Sequence, residues 1–68
     1  MYQIRIREVG GRGVVARKFL ETEDDKIASR CHSEFWNDHC AHTDRFRSSL
    51  FKKTEQDKQW KLKEVINW

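Results

Sequence analysis

The chain has 68 residues, of which 37% are hydrophobic and 37% charged, and its formal net charge is +3 at pH 7. A globule of this length buries only about 60% of the surface that its unfolded chain exposes, so we expect a single domain, residues 1–68, with a thin core. There is no apolar run of about 18 residues and no basic-then-apolar leader, which argues against a membrane protein and against secretion. Two cysteines are too few for a disulfide scaffold, so we expect free thiols and a cytoplasmic location.

The first twenty residues have the pattern of a β-hairpin. Residues 2–9 alternate apolar and polar side chains, which predicts a strand with one solvated face. Three glycines in residues 10–13 suit a turn with positive φ, and residues 14–20 form a second strand. In the first strand the inward residues are Tyr2, Ile4 and Ile6, and the outward ones are Gln3, Arg5 and Arg7. The phase of the second strand stays open: either Val15 and Phe19 face the core, or Val14, Ala16 and Leu20 do.

An acidic helix follows this hairpin. Thr22 is the predicted N-cap, with Asp25 three residues later and acids in the first turn that favour the positive end of the helix dipole. We predict that the helix runs from residue 23 to residue 38–40. Its buried stripe consists of Ile27, Cys31 and Phe35 at i+4 spacing, with Ala28 beside it.

The last third of the chain predicts a second hairpin. Residues 45–53 fit a strand with Phe46, Ser48 and Leu50 facing inward, which we favour, although a helix would also align Phe46 with Leu50. Residues 59–68 read as a final strand, with a break of phase at residues 64–66 that suits a bulge. Its predicted inward residues are Trp60 and Leu62, and its outward residues are Lys61 and Lys63.

The predicted order is therefore ββαββ. A four-stranded antiparallel sheet with one helix packed on one face is a two-layer α+β fold. Charge follows the same division: the sequence is net positive over residues 1–20, net negative over residues 21–44 and net positive over residues 45–68. The sheet should therefore carry the positive charge and the helix layer the negative charge.

A basic sheet face is the main candidate site. The outward residues of the strands are mostly Arg and Lys, and one exposed aromatic ring lies among them. Such a face suits the backbone and bases of a nucleic acid, or an acidic protein surface, although polar open faces also serve solubility alone. The predicted partner-binding or nucleic-acid-binding residues are Arg5, Arg7, Arg17, Arg45, Arg47, Phe51, Lys61 and Lys63.

A cluster of metal-ligand residue types forms a weaker candidate. Five such residues fall within twelve positions: Cys31, His32, His39, Cys40 and His42. Their spacing does not match the paired arrangement of zinc sites, so we expect no cofactor. Cys31 fits a small core residue, and His39 and His42 fit the end of the helix, where imidazolium favours the negative end of the dipole. A Cys–His nucleophile is disfavoured because Cys31 and His32 diverge on a helix, and we expect no enzymatic activity.

The leading functional hypothesis is a small non-enzymatic binding protein that regulates or inhibits a larger assembly. Its basic face would dock on an acidic protein or a nucleoprotein surface, and the chain would be a monomer or, through an uncovered strand edge, a homodimer. In size and architecture it is similar to phage-encoded inhibitors of host machinery, including anti-CRISPR proteins, which would make it a viral protein. The alternative is direct nucleic-acid binding by the same face, and a third hypothesis is a metal-binding module.

Overall fold

The structure of the protein is a computed structural model that describes residues 1–11, 13–40, 45–56 and 58–66, with Cys40 described in its backbone alone. These residues form four strands and one helix: β1 (Tyr2–Glu8), β2 (Val14–Leu20), α1 (Asp25–Cys40), β3 (Phe46–Lys52) and β4 (Lys61–Ile66). The strands make one antiparallel sheet in the order β2-β1-β3-β4, with α1 packed against one face. The predicted two-layer α+β fold is confirmed, as is the strand in segment 45–53. The two hairpins join through β1 and β3, which are the central strands.

The turn of the first hairpin depends on glycine at two positions. Gly10 and Gly13 have φ angles of 77° and 82°, which residues with a Cβ rarely adopt. The Gly11 N–H donates to the Glu8 carbonyl at 3.0 Å and closes the start of the turn. The predicted glycine turn is therefore present.

The register of this hairpin settles the phase of β2. Ala16 pairs with Ile6 and Leu20 pairs with Tyr2, so these two residues of β2 lie on the side of the sheet that α1 covers. A register shift places Val14 opposite Arg7, so Val14 lies on the other face of the sheet from Ala16 and Leu20. The residues of β2 that are more than half exposed include Val15 and Phe19.

The core is thin and centres on β1. Tyr2, Ile4 and Ile6 are at most 1% exposed because the even-numbered residues of β1 face α1. Each buried side chain of this size stabilises the fold by about 1.5–3 kcal/mol. The other buried apolar residues are Leu20, Ala28 and Leu50.

Helix α1 begins two residues later than predicted, and its cap is Asp24 rather than Thr22. The Asp24 carboxylate accepts the backbone N–H of Lys26 at 2.8 Å and that of Ile27 at 3.4 Å. Thr22 instead accepts the N–H of Asp24 at 3.1 Å. The aspartate supplies both an acceptor and a negative charge at the positive end of the helix dipole. Among the described residues, no helix is long and apolar enough to cross a membrane.

The stripe that α1 presents to the sheet also differs from the predicted one. Ala28 and His32 are fully buried, whereas Ile27 is 42% exposed. The buried stripe is centred on Ala28 rather than on Ile27, so the helix is rotated by about 100° relative to the predicted orientation. His32 can face the sheet because the sheet provides hydrogen-bond partners for both of its ring nitrogens. Cys31 and Phe35 pack at the margin of the core.

Strand β4 has the opposite phase to the predicted one. Leu50 pairs with Glu64, but a register shift follows, so that Phe51 pairs with Leu62 and Lys52 with Lys61. The extra residue is Lys63, one position before the segment 64–66 where the sequence predicted a bulge. A slip of one residue moves every preceding side chain to the other face. The inward placement of Trp60 and Leu62 and the outward placement of Lys61 and Lys63 are therefore wrong.

Candidate binding face

The sheet face opposite α1, here called the open face, is made by the odd-numbered residues of β1 and their cross-strand neighbours. These residues form three rows across the sheet, and none of them is acidic. The first row holds Phe19, Gln3, Phe51 and Leu62, the second Arg17, Arg5, Ser49 and Val65, and the third Val14, Arg7 and Arg47.

Four arginines of the open face stand in two directly opposed pairs. Arg5 pairs with Arg17 across β1 and β2, and Arg7 pairs with Arg47 across β1 and β3. Like charges directly opposite each other destabilise a sheet by roughly 0.2–1 kcal/mol per pair. Partial burial, and then the charges of Arg17 and Arg7, lower the pKa of Arg5 from its ordinary value. The face therefore concentrates positive charge at a cost in stability.

The guanidinium of Arg5 is held over an aromatic ring. Its Cζ lies 4.3 Å from the centroid of the Phe51 ring, and its Nε donates to Gln3 Oε1 at 2.6 Å. A cation over a ring contributes about 0.5–2 kcal/mol, depending on exposure. Phe51 lies on the open face as predicted, but it is half-buried and has the Arg5 guanidinium over its ring.

Rings crowd the first row of the open face. Phe19 and Phe51 flank Gln3, which is only 3% exposed although it lies outside the core. The Trp60 ring contacts Phe19 at a centroid distance of 6.2 Å and a tilt of 54°, and Lys53 Nζ lies 5.7 Å from the Trp60 centroid. We call Phe19, Phe51 and Trp60 the aromatic cluster.

The sequence pattern missed two members of this cluster. Trp60 was assigned to the core because the bulge reversed the phase of β4, and Phe19 was left between two phases. One available signal for Phe19 was its spacing from Arg17: residues two apart in a strand share a face, so an outward arginine implies an outward Phe19.

Three predicted site residues lie away from the open-face rows. Lys61 pairs with Lys52, whose other neighbour is the buried Tyr2, and is therefore on the helix side of the sheet. With Lys52 and Thr54, both Lys61 and Lys63 line a shallow depression there. A hydrogen bond from Lys52, and then the charges of Lys52 and Lys63, lower the pKa of Asp25.

Arg45 is the third of these residues. Its Nη2 lies 3.7 Å from Glu8 Oε1 at the end of the sheet, where both side chains are exposed. Among the described residues of the open-face rows, the basic ones are Arg5, Arg7, Arg17 and Arg47.

His32 joins the two layers of the fold through a polar network that is fully buried at His32 and Ser48 and reaches the surface at Glu64. Its Nδ1 lies 2.6 Å from Glu64 Oε1 and its Nε2 lies 2.6 Å from Ser48 Oγ. The Ser29 hydroxyl donates to the Glu64 carboxylate at 3.0 Å. This order of serine, histidine and carboxylate also occurs in hydrolase triads. However, Ser48 and His32 have no exposed surface, so a substrate has no path to the serine oxygen in this conformation.

The metal-ligand cluster is dispersed over α1. Both ring nitrogens of His32 are occupied by Glu64 and Ser48, and His39 Nδ1 lies 3.0 Å from the Phe35 carbonyl in the last turn, where the sequence placed it. Cys31 is a free, half-buried thiol. His42 and the Cys40 side chain lie outside the described residues. Within the part of the chain that the structure describes, no group of three or more His, Cys, Asp or Glu could hold a metal ion.

Comparison with known proteins gives this chain no relative. No protein-family model, no curated protein sequence and no solved structure matches it. The function of the open face must therefore be inferred from its own chemistry.

Proposed function

We propose that this chain is a small non-enzymatic binding protein that docks its open face on an anionic surface of a larger protein or nucleoprotein and regulates or inhibits that partner by covering it. The observation that carries the proposal is the pair of direct arginine oppositions, Arg5 with Arg17 and Arg7 with Arg47. Each opposition is unfavourable in the free protein and is relieved when an anion lies against both guanidinium groups.

The position of these arginines supports binding over solubility alone. Charged residues that prevent aggregation belong on edge strands, where unpaired backbone groups are exposed. Three of the four arginines lie on the central strands: Arg5 and Arg7 on β1, and Arg47 on β3. Neighbouring strands are about 4.8 Å apart, well within the screening length of about 8 Å at physiological salt, so the four charges act as one field. Such a field steers an anionic partner toward the face.

A matched pair of charge-reversed variants tests the proposal. Arg7→Glu with Arg47→Glu reverses the open face, and Lys26→Glu with Arg30→Glu makes the same change of charge on the exposed side of α1. Heparin and poly-L-glutamate serve as polyanion probes, with binding measured by isothermal titration at 50 mM NaCl. We expect the face variant to lose about tenfold or more in affinity for both probes and the helix variant to stay close to wild type.

Equal affinities of all three proteins for both probes would contradict the proposal. Regulation is tested on a partner protein that binds the wild type and the helix variant in equal stoichiometry but does not bind the face variant. The activity of that partner should change when the wild-type chain is added, and should not change with the face variant.

A further inference from the structure

We infer that the partner of the open face is single-stranded nucleic acid, with unpaired bases stacked on Phe19 and on the Arg5 guanidinium, and with phosphates bound by Arg7, Arg17 and Arg47. This inference rests on the proposed function and narrows it: of the anionic surfaces proposed there, it selects the exposed nucleic acid of a nucleoprotein over the surface of an acidic protein. It follows from the layout of the three rows rather than from charge alone.

The distribution of charge is the reverse of that in a protein–protein interface. Such interfaces have an apolar centre depleted of charge and a polar rim. Here charges occupy the central strands, while exposed apolar side chains lie toward the edges, Phe19 on β2 and Leu62 on β4. An acidic protein would have to meet the arginines at its centre and still cover these apolar side chains. A nucleic acid strand presents phosphates and flat bases side by side, which matches the mixed face better.

The first row offers flat surfaces for bases. Phe19 is more than half exposed, and its tilted contact with Trp60 fixes one side of the ring. The guanidinium of Arg5 lies over Phe51 and is held from its Nε by Gln3, so the plane is already ordered before a base arrives. Arginine planes and aromatic rings are the two groups on which proteins stack unpaired bases.

The second and third rows place phosphate-binding arginines two residues along the strand from the groups on which bases would stack. Residues two apart in a strand are separated by about 6.6 Å, so Arg17 follows Phe19 and Arg7 follows Arg5 at that spacing. Arginine can bind a phosphate through two parallel hydrogen bonds. Bases in a duplex are stacked on each other and cannot offer their faces to Phe19, so a single strand should bind more tightly than a duplex of the same sequence.

Fluorescence anisotropy with labelled probes tests this inference. The probes are a 12-nucleotide oligo-dT, a 12-nucleotide oligo-U, a 12-base-pair duplex and a glutamate 12-mer. Phe19→Ala removes the exposed ring, and Ile27→Ala removes an exposed apolar side chain from α1 as a control. We expect Phe19→Ala to weaken single-strand binding by roughly 5- to 150-fold, and to leave glutamate 12-mer binding unchanged. Ile27→Ala should leave both unchanged.

Two further measurements separate stacking from charge. Arg5→Lys keeps the charge and removes the flat guanidinium, so single-strand affinity should fall while its dependence on salt concentration stays the same. Arg47→Gln should reduce the slope of log K against log salt by about 0.7 for each phosphate that the variant no longer neutralises. Thermal unfolding of every variant confirms that the fold persists.

The outcomes distinguish this inference from the proposed function. The nucleic-acid inference is overturned if Phe19→Ala binds the single strand as wild type does, or if the duplex or the glutamate 12-mer binds more tightly than the single strand. The proposed function survives that result provided that the charge-reversed face variant still loses polyanion binding. If no anionic probe binds, both fail.

Discussion

His32 lies at the centre of the contact between α1 and the sheet, with no exposed surface. Its two ring nitrogens meet Glu64 and Ser48, which are 32 and 16 residues away in the chain. The sequence treated His32 as a metal-ligand candidate because no local spacing reveals partners on two distant strands. The sequence pattern shows only that His32 is a polar residue next to the apolar stripe of a helix. Such a position fits an exposed side chain as well as a buried one.

The buried network predicts a clear difference between the histidines of α1. His32→Ala leaves the Ser48 hydroxyl buried without its partner, so we expect the free energy of unfolding to fall by about 1–3 kcal/mol. His39→Ala removes an exposed side chain at the helix end and should cost less than about 1 kcal/mol. Urea unfolding followed by tryptophan fluorescence measures both. Equal losses in the two variants would show that the network does not hold the layers together.

At the scale of elements, β1 and β3 follow the alternation of the sequence, whereas the pairings of β2 and β4 each contain a register shift. In β1 and β3 the alternation is uninterrupted, so the buried positions Ile4, Ser48 and Leu50 were predicted correctly. In β4 one extra residue, Lys63, reverses the face of everything before it. The break of phase at residues 64–66 indicated a bulge close to this position. Alternation does not show which side of the bulge faces the core, because the residues on each side keep their own local phase. The predicted phase therefore placed Lys61 and Lys63 on the open face and Trp60 and Leu62 in the core, and the structure reverses both placements.

The start of α1 gives a test at this scale. Asp24→Ala removes the acceptor for two backbone N–H groups of the first turn, and we expect a loss of about 0.5–2 kcal/mol in stability. Thr22→Ala, at the predicted cap, removes a contact with Asp24 alone and should cost less. Thermal unfolding with circular dichroism compares the two. A larger loss for Thr22→Ala would favour the cap that the sequence predicted.

At the scale of the whole molecule, the predicted separation of charge holds in part. The open face is basic, but the acidic layer is not the helix alone, since Glu21, Glu23 and Asp24 precede α1. Some acids also neutralise basic side chains of the sheet: Lys52 Nζ lies 2.9 Å from Asp25 Oδ1. The positive charge of the sheet is therefore divided between its faces: four arginines lie on the open face, and Lys52, Lys61 and Lys63 lie on the helix side, where Lys52 contacts Asp25.

Because the opposed arginines repel each other, a variant that loses one of them should bind anions more weakly and have a larger free energy of unfolding. Arg17→Thr and Arg47→Thr each remove one direct opposition, so each should raise the free energy of unfolding by about 0.2–1 kcal/mol at low salt. The gain should shrink in 1 M NaCl, where the screening length is about 3 Å. Arg45→Thr, which removes a contact with Glu8, should not stabilise the protein. A decrease in stability in both open-face variants would contradict the account of the face as a region of repulsion.

The seam between β1 and β3 has a consequence for folding. It joins the two hairpins by pairing residues as distant as Tyr2 and Lys52, whereas each hairpin closes locally. Long-range pairing of this kind requires closure of a long loop and slows folding. Arg7 and Arg47 face each other across this seam. Arg47 therefore joins the three arginines of the first hairpin only when this long-range pairing has formed, so a chain whose hairpins are still separate lacks the opposition of Arg7 and Arg47.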